Sequence, residues 1–374
     1  MRENCSLAIV DNTDPDNLAC VLALANAKVK HTLLGVIVTG RAANFDRRAA
    51  PDEVDLFHSE YVCKLNAARM KKFLRAAGRG DVPVFVGSRP PYTIVPHNVH
   101  IDEREFRDLT EYELDTVIDS MDSDINLLYR LFMLKERFGI SALGEAYELL
   151  GFLDSPVDLI VGGPMTDVAW IMRSYGSKIR SVHAQFGTFG FGAKGLMEFG
   201  DRPRGKRQFN VACDPEAAHD VLMNLKAPIY LYPSDVTRVD ALGFQNPEEL
   251  ATYLEDTTAV RELLRIYSVA YEKMVKSRGE KIYIHDLAPA FGYLDMYLFA
   301  QDEIEDRGAR AQDNIYTMKP VEILDVPHLP EERDSWGEIR VDFNRTDFSG
   351  FLPRYVATDV SAERYLQEMR KLVR

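Results

Sequence analysis

The chain has 374 residues, 46% of them hydrophobic and 28% charged, with 45 Lys and Arg against 58 Asp and Glu for a formal charge of −13. That is the composition of a folded globular protein with a sizeable core, which excludes disordered and fibrous classes. The negative charge argues against a nucleic-acid polymer or an anionic membrane as partner, and no apolar run reaches the roughly 18 residues that a membrane span needs.

Short Val- and Ile-rich runs alternate with helix-period stretches, the pattern of βα units around a mainly parallel sheet. In chain order, strands are predicted at Leu7–Val10, Leu34–Val38, Val84–Val86, Val157–Val161, Ser181–Gln185 and Ile229–Tyr232. Helices are predicted at Asn17–Ala27, Ser59–Ala76, Ile125–Phe138, Met165–Ser174, Pro215–Leu225, Pro247–Leu254 and Ala259–Lys276. The C-terminal part adds strand-like Val321–Leu324 and Ile339–Phe343 and a last helix from Ser361 to Arg374. Arg41–Leu56 and Pro90–Ser123 break the rhythm and read as insertions or long loops. Cys5, Cys20, Cys63 and Cys213 are scattered, without a Cys-x-x-Cys pair, and read as buried thiols of a cytoplasmic protein.

A parallel α/β sheet binds ligands beyond the C-terminal ends of its strands. Four segments there carry chemistry. Asp11-Asn12-Thr13-Asp14-Pro15-Asp16-Asn17 puts three Asp and two Asn in seven residues, dense oxygen ligation of the kind a hard cation needs, although Asp14 or Asp16 would equally serve as a helix cap. It is not an EF-hand, since the twelfth position is Leu22, nor an Asp-x-Asp phosphatase loop, since Thr13 holds the second Asp position. Gly162-Gly163-Pro164-Met165-Thr166-Asp167 is a strand, a turn and a helix start, where Thr166 offers a hydroxyl and a carbonyl to a metal or caps the helix. Gln208 and Asn210 project on one side of an extended segment leading to Asp214, an N-cap followed by Pro215. Finally, His285-Asp286 stands before an apolar helix start and pairs a proton donor with a carboxylate.

Together these segments resemble the nucleoside hydrolases, the inosine-uridine preferring N-ribohydrolases. The family's Asp-x-Asp-Pro-Gly-x-Asp-Asp-Ala loop is approximated by Asp11–Ala19, its Gly-Pro-Leu-Thr-Asn turn by Gly163–Asp167, its Glu-Phe-Asn…Asp-Pro-Glu-Ala-Ala segment by Gln208–Ala218, and its His-Asp-Pro-Leu-Ala motif by His285–Pro289. Weaker echoes are Asp81–Gly87 and Pro233–Thr237. The resemblance implies one Rossmann-like α/β domain over residues 1–374, with a mainly parallel sheet flanked by helices and insertions at about 41–80 and 90–155. It further implies metal-dependent cleavage of an N-ribosyl bond, with one Ca²⁺, or Mg²⁺ in its place, held by Asp14, Asn17, Thr166 and Asp286 with Asp11 in support. Asp14 and Asp16 would act at the sugar and the attacking water, and His285 at the leaving base. A homodimer or homotetramer is the form the family implies.

The departures from the family pattern share one direction. The last Asp of the first loop is Asn17, the Glu that meets a ribose hydroxyl is Gln208, and Arg41 and Arg202 stand where the family has Asn. Arg makes bidentate contacts to phosphate or carboxylate. The expected ligand is therefore a small nucleoside or nucleotide, with an anionic group such as a 5′-phosphate near the sugar, met by Arg41, Arg202, Gln208, Asn210 and Asp16. Phe189 and Tyr293 are candidates to line the base pocket. The competing expectation is a family member that binds a nucleoside-like ligand or a protein partner without turnover.

Overall fold

Unbroken runs of Val, Ile and Leu require cover on both faces of a strand, and the fold supplies it. The computed structural model describes residues 4–11, 15–27, 31–39, 56–88, 140–190, 208–272, 281–302, 314–335, 337–344 and 352–370. In chain order these form β1 (Asn4–Val10), α1 (Pro15–Ala25), β2 (His31–Val38), α2 (Leu56–Ala76), β3 (Val84–Val86), β4 (Ile140–Ala142), α3 (Leu143–Phe152), β5 (Val157–Gly162), α4 (Thr166–Tyr175) and β6 (Ile179–Ala184). There follow α5 (Phe209–Cys213), α6 (Pro215–Asn224), β7 (Ile229–Leu231), α7 (Ser234–Thr237), α8 (Pro247–Ala251), α9 (Thr258–Ala270), α10 (Leu287–Asp302), β8 (Tyr316–Pro320), β9 (Glu322–Asp325), β10 (Arg340–Asp342), β11 (Arg354–Val360) and α11 (Ala362–Met369).

Nine strands make one sheet in the order β4-β3-β2-β1-β5-β6-β7-β11-β8. All its pairings are parallel except that of β8 with β11, and β9 and β10 form a separate antiparallel pair. Alternation divides the core in two. Ala8, Val10, Val36, Val38 and Ile160 face the cluster built with α1, α2, α9 and α10, while Leu7, Ile9, Ile37, Leu159 and Val161 face the one built with α3, α4 and α6. This is the doubly covered, mainly parallel α/β architecture that the sequence predicts.

The predicted strands and helices lie where expected to within a few residues, apart from the helix expected at Ile125–Phe138 and the last residues of those expected at Ala259–Lys276 and Ser361–Arg374, which fall outside the described residues. Within the two ranges read as insertions, α2 packs Met70, Phe73 and Leu74 into the core, and β4 forms the sheet edge beside β3. A buried guanidinium ties the far side together. Arg354 on β11 donates to the carbonyls of Val221, Leu222, Leu225 and Ala227 at the end of α6, satisfying groups a helix terminus leaves open, and its burial lowers the side chain to about 10.

What the topology does for function is set by β1, which has β2 on one side and β5 on the other. Chain order runs outward from the β1–β5 pair, through β2, β3 and β4 on one side and through β6 and β7 on the other. A crevice at such a reversal, outside the carboxyl ends of the strands, is where open α/β sheets place their ligands. Val10 and Gly162, the last residues of the two strands, are register partners.

Candidate active site

Three of the predicted ligands meet on the Gly162–Gly163 turn. A Cβ on Gly162 would lie 2.8 Å from Asn17 Oδ1 and 3.0 Å from Asp286 Cγ, and one on Gly163 would lie 2.8 Å from Asp11 Cβ. All three side chains are buried. Asn17 Nδ2 donates to Asp11 Oδ1 at 2.9 Å, so the amide is turned with its oxygen toward Gly162 and Asp286. Asp16 stands in the first turn of α1, and its charge and that of Asp286 both bear on Cys20, raising that buried thiol after burial itself and making it a poor nucleophile. Gly162→Ala is expected to destabilise the protein by about 1–3 kcal/mol through overpacking and to displace Asn17 and Asp286. Unchanged urea unfolding and activity in this variant would show that the cradle is looser than these distances.

Thr166 does not cap α4. The N-cap is Met165, with no side-chain bond, and the Thr166 hydroxyl instead donates to Asp214 Oδ2 at 2.6 Å. With the hydroxyl tied to Asp214, the main-chain carbonyl is the other oxygen Thr166 has for a ligand. Donors on and beside the turn are thus two carboxylates, an amide oxygen and a carbonyl, a hard, all-oxygen set suited to Ca²⁺ or Mg²⁺ and unsuited to a soft metal. No group of three or more His, Cys, Asp or Glu poised for a metal occurs among the described residues, which do not include Asp14.

Beside the turn, Gln185 follows β6, its main-chain N–H bonded to Val161 O at 2.9 Å, and gathers two further amides. Gln208 Oε1 accepts from the Val211 main-chain N–H at 3.1 Å, so its amino group must be the one directed at Gln185 Oε1 at 3.0 Å. Asn210 then donates to the same Oε1 at 3.0 Å and to Gln185 O at 3.1 Å. One main-chain donor fixes the orientation of all three amides. The cluster is neutral and buried.

On the remaining side, His285 is half-buried and its Nδ1 lies 2.7 Å from Thr237 Oγ1. Its ring is 5.8 Å from that of Tyr283, over which the Arg238 guanidinium sits at 5.6 Å. The arrangement joins an oxygen-rich cradle, a buried amide cluster and an imidazole at neighbouring strand ends.

The model of the inosine-uridine preferring nucleoside hydrolases matches residues 58–366. The chain belongs to that family. Solved structures agree on the fold: a plant nucleoside hydrolase at 14% identity and TM-score 0.62, over 100% of this chain and 99% of that one, and a purine-preferring ribonucleoside hydrolase from Gardnerella vaginalis at 16% and 0.60, over 99% and 98%. An inosine-guanosine nucleoside hydrolase is similar at 15% and 0.60, over 99% of each chain. No curated protein sequence matches the chain. The protein is an N-glycosyl hydrolase, and its family match begins beyond the first loop, so the arrangement of Asp11 and Asn17 is known from the fold.

In this nucleoside hydrolase, the described members of the predicted set fall into two groups. Asp11, Asn17, Thr166 and Asp286 gather at the β1–β5 switch, with Asp16 on α1 beside them, while Gln208 and Asn210 stand at the N-cap and in the body of the short helix α5, not on the extended segment expected, and His285 stands on the turn before α10. Phe189 and Tyr293 are not brought there. Phe189 is buried, its N–H held by Asp235 Oδ2 at 2.8 Å and its ring edge-on to Phe343. Tyr293 is fully buried on α10, with its ring 5.4 Å from both His31 and His183, and His31 begins β2 at the opposite end of the sheet. Asp14, Arg41 and Arg202 lie outside the described residues.

Several contributors to the hydrolase site have no motif of their own. Gln185 is legible only as a polar residue ending an apolar strand, and Thr237 only as the end of Pro233–Thr237. Asp167, fully buried, accepts the Ser88 N–H at 2.9 and 3.1 Å and is raised by burial, against hydrogen bonds from Thr39 and Ser88 that lower it. Gly87 must be glycine because a Cβ there would meet Asp167 Oδ2 at 2.4 Å. Asp167 thereby fastens α4 to the ends of β2 and β3.

Proposed function

We propose that this hydrolase uses a divalent cation, Ca²⁺ foremost, to cleave the N-glycosidic bond of a ribonucleoside or related N-riboside that carries an anionic group such as a 5′-phosphate. The observation that carries the reading is the convergence of Asp11, Asn17 and Asp286 on the Gly162–Gly163 turn. Asp11, Asn17, Asp286 and the Thr166 carbonyl, with Asp14, would hold the cation. When bound, it would orient the ribose diol and acidify a water facing the anomeric carbon.

The rest follows from the chain's own groups. Asp14 or Asp16 accepts the proton of the attacking water as its oxygen bonds to the anomeric carbon, and their negative charge favours the oxocarbenium character that develops as the C–N bond breaks. Thr237 holds His285 Nδ1, so the proton reaches the departing base nitrogen from Nε2. Gln208 presents an amide where the family pattern has a carboxylate, beside the amides of Gln185 and Asn210, so an anion meets no repulsion there. Arg41 and Arg202 would supply the attraction. The four free cysteines support a reducing, cytoplasmic setting.

The test compares release of free base from a ribonucleoside and from its 5′-monophosphate. A higher kcat/KM for the monophosphate is expected, and a preference for the uncharged nucleoside would remove the anionic part of the reading. His285→Ala is expected to lower kcat by about 10²-fold or more for a nucleoside, and much less for a riboside whose leaving group needs no proton. Equal losses on both would assign His285 to binding.

A further inference from the structure

An N-cap demands only one side-chain oxygen, and several described helices meet that demand without charge. Asn246 caps α8, Thr257 caps α9 and Ser361 caps α11. At α6 the cap is Asp214, with no exposure at all. Its Oδ1 accepts the Ala217 N–H at 3.2 Å, a long bond, while Oδ2 takes the Thr166 hydroxyl at 2.6 Å, in the range of charge-assisted bonds. Burying a carboxylate costs several kcal/mol, far more than a cap that Ser or Asn would supply repays. The shorter of these bonds runs to the N-terminus of another helix.

We propose that Asp214 is a positioning residue for the cation site: it holds Thr166 through the hydroxyl and so aims the Thr166 main-chain carbonyl as a ligand. This rests on the metal-dependent reading above. Thr166 is the first residue of α4, four positions beyond Gly162. The bond to Asp214 anchors the Thr166 side chain, and through its Cα the first peptide of α4, to the start of α6. Asp214 also ends α5, which carries Asn210 and adjoins Gln208. A single buried carboxylate therefore joins the wall that meets the sugar to the residue that meets the cation, and substrate and metal are expected to influence each other's binding through it.

Direct titration of the metal-free protein with Ca²⁺, read by calorimetry, separates the possibilities. Asp214→Asn preserves the cap oxygen, and Thr166→Val preserves shape and carbonyl while removing the hydroxyl. Each is expected to weaken Ca²⁺ binding by about 10- to 100-fold, the usual effect of removing a group that orients a ligand. Thr166→Ser should restore affinity to within about threefold of the parent, and the double variant Thr166→Val with Asp214→Asn should lose no more than either single one. Variants that keep parental Ca²⁺ affinity, or that lose only thermal stability, overturn the positioning role while the cation site stands. A parent protein that binds no Ca²⁺ overturns the metal reading and this inference with it.

Discussion

Asp286→Asn is expected to cut kcat/KM for base release by about 10²- to 10³-fold, with circular dichroism and unfolding close to those of the parent. The side chain is buried at the foot of α10 and flanks Gly162 opposite the Asn17 amide oxygen. Because position 17 is already an amide, the substitution would leave Asp11 as the one described carboxylate on the Gly162–Gly163 turn. Charge, not shape, is what the variant removes, so the loss measures how far the site depends on a second anion. Steady-state kinetics on the nucleoside, together with Ca²⁺ titration, give the answer. Activity within threefold of the parent would detach Asp286 from the chemistry.

Acid should unfold this protein early. His31 and His183 are both held neutral by burial, each lowered to about 4 from 6.5, against a smaller opposing pull from Asp158. His31 Nε2 lies 2.8 Å from Ser6 Oγ, and His183 Nδ1 lies 3.1 Å from the Tyr232 hydroxyl. The unfolded chain takes up these protons below about pH 6.5, and the folded chain refuses them until about pH 4. Their contribution is therefore complete above pH 6.5 and is lost as pH falls through that window, by about 2 kcal/mol each at pH 5.

Asp295 works in the opposite sense. Burial raises it to about 6 from 3.8, despite the Ile315 N–H that it accepts at 2.8 Å. The folded state holds that proton in a range where the unfolded chain has released it, so acidification from pH 6 returns about 1 kcal/mol by pH 5. Its Oδ1 is buried without a hydrogen bond. Asp295→Asn should accordingly stabilise the protein at pH 8 by up to about 3 kcal/mol and steepen the loss between pH 6.5 and 5. Urea unfolding at pH 8, 6.5 and 5 measures both. A parent curve that is flat from pH 8 to 5 would mean that the two imidazoles charge inside the fold.

Substitutions that look like losses in the sequence acquire a second meaning from their partners. Asn17 forfeits a carboxylate, yet its amino group bonds Asp11, which an aspartate at that position would instead repel. Gln208 likewise replaces an acid, and its amide closes a three-membered amide cluster with Gln185 and Asn210 that a carboxylate facing Gln185 Oε1 would break apart. Thr166, ambiguous between a cap and a ligand, is resolved by Asp214, 48 residues away. Asp214 itself was legible as an N-cap from the Asp-Pro pair, because that bond is local. Its bond to Thr166 was not legible, because nothing in either segment encodes their proximity.

The same division holds for the fold. Strands β1, β2, β3, β5, β6 and β7 and the helices α1, α2, α4, α6, α8 and α9 announce themselves through hydrophobic period and caps, which are properties of neighbouring residues. β4, three residues long, is too short to show a period. β8, at the sheet edge, and β11 beside it mix polar and apolar residues because their part of the sheet is partly open to solvent. By itself, then, the sequence determined the α/β class, the family and the strand ends at which the chemistry gathers. Only the tertiary structure decided which oxygens meet on Gly162 and Gly163, that Asp214 rather than the helix takes the Thr166 hydroxyl, and that Phe189 and Tyr293 are buried in the core. Local pattern reports which face of an element is apolar, whereas hydrogen bonds between distant segments depend on angstrom-scale placement that only the packed sheet and helices provide.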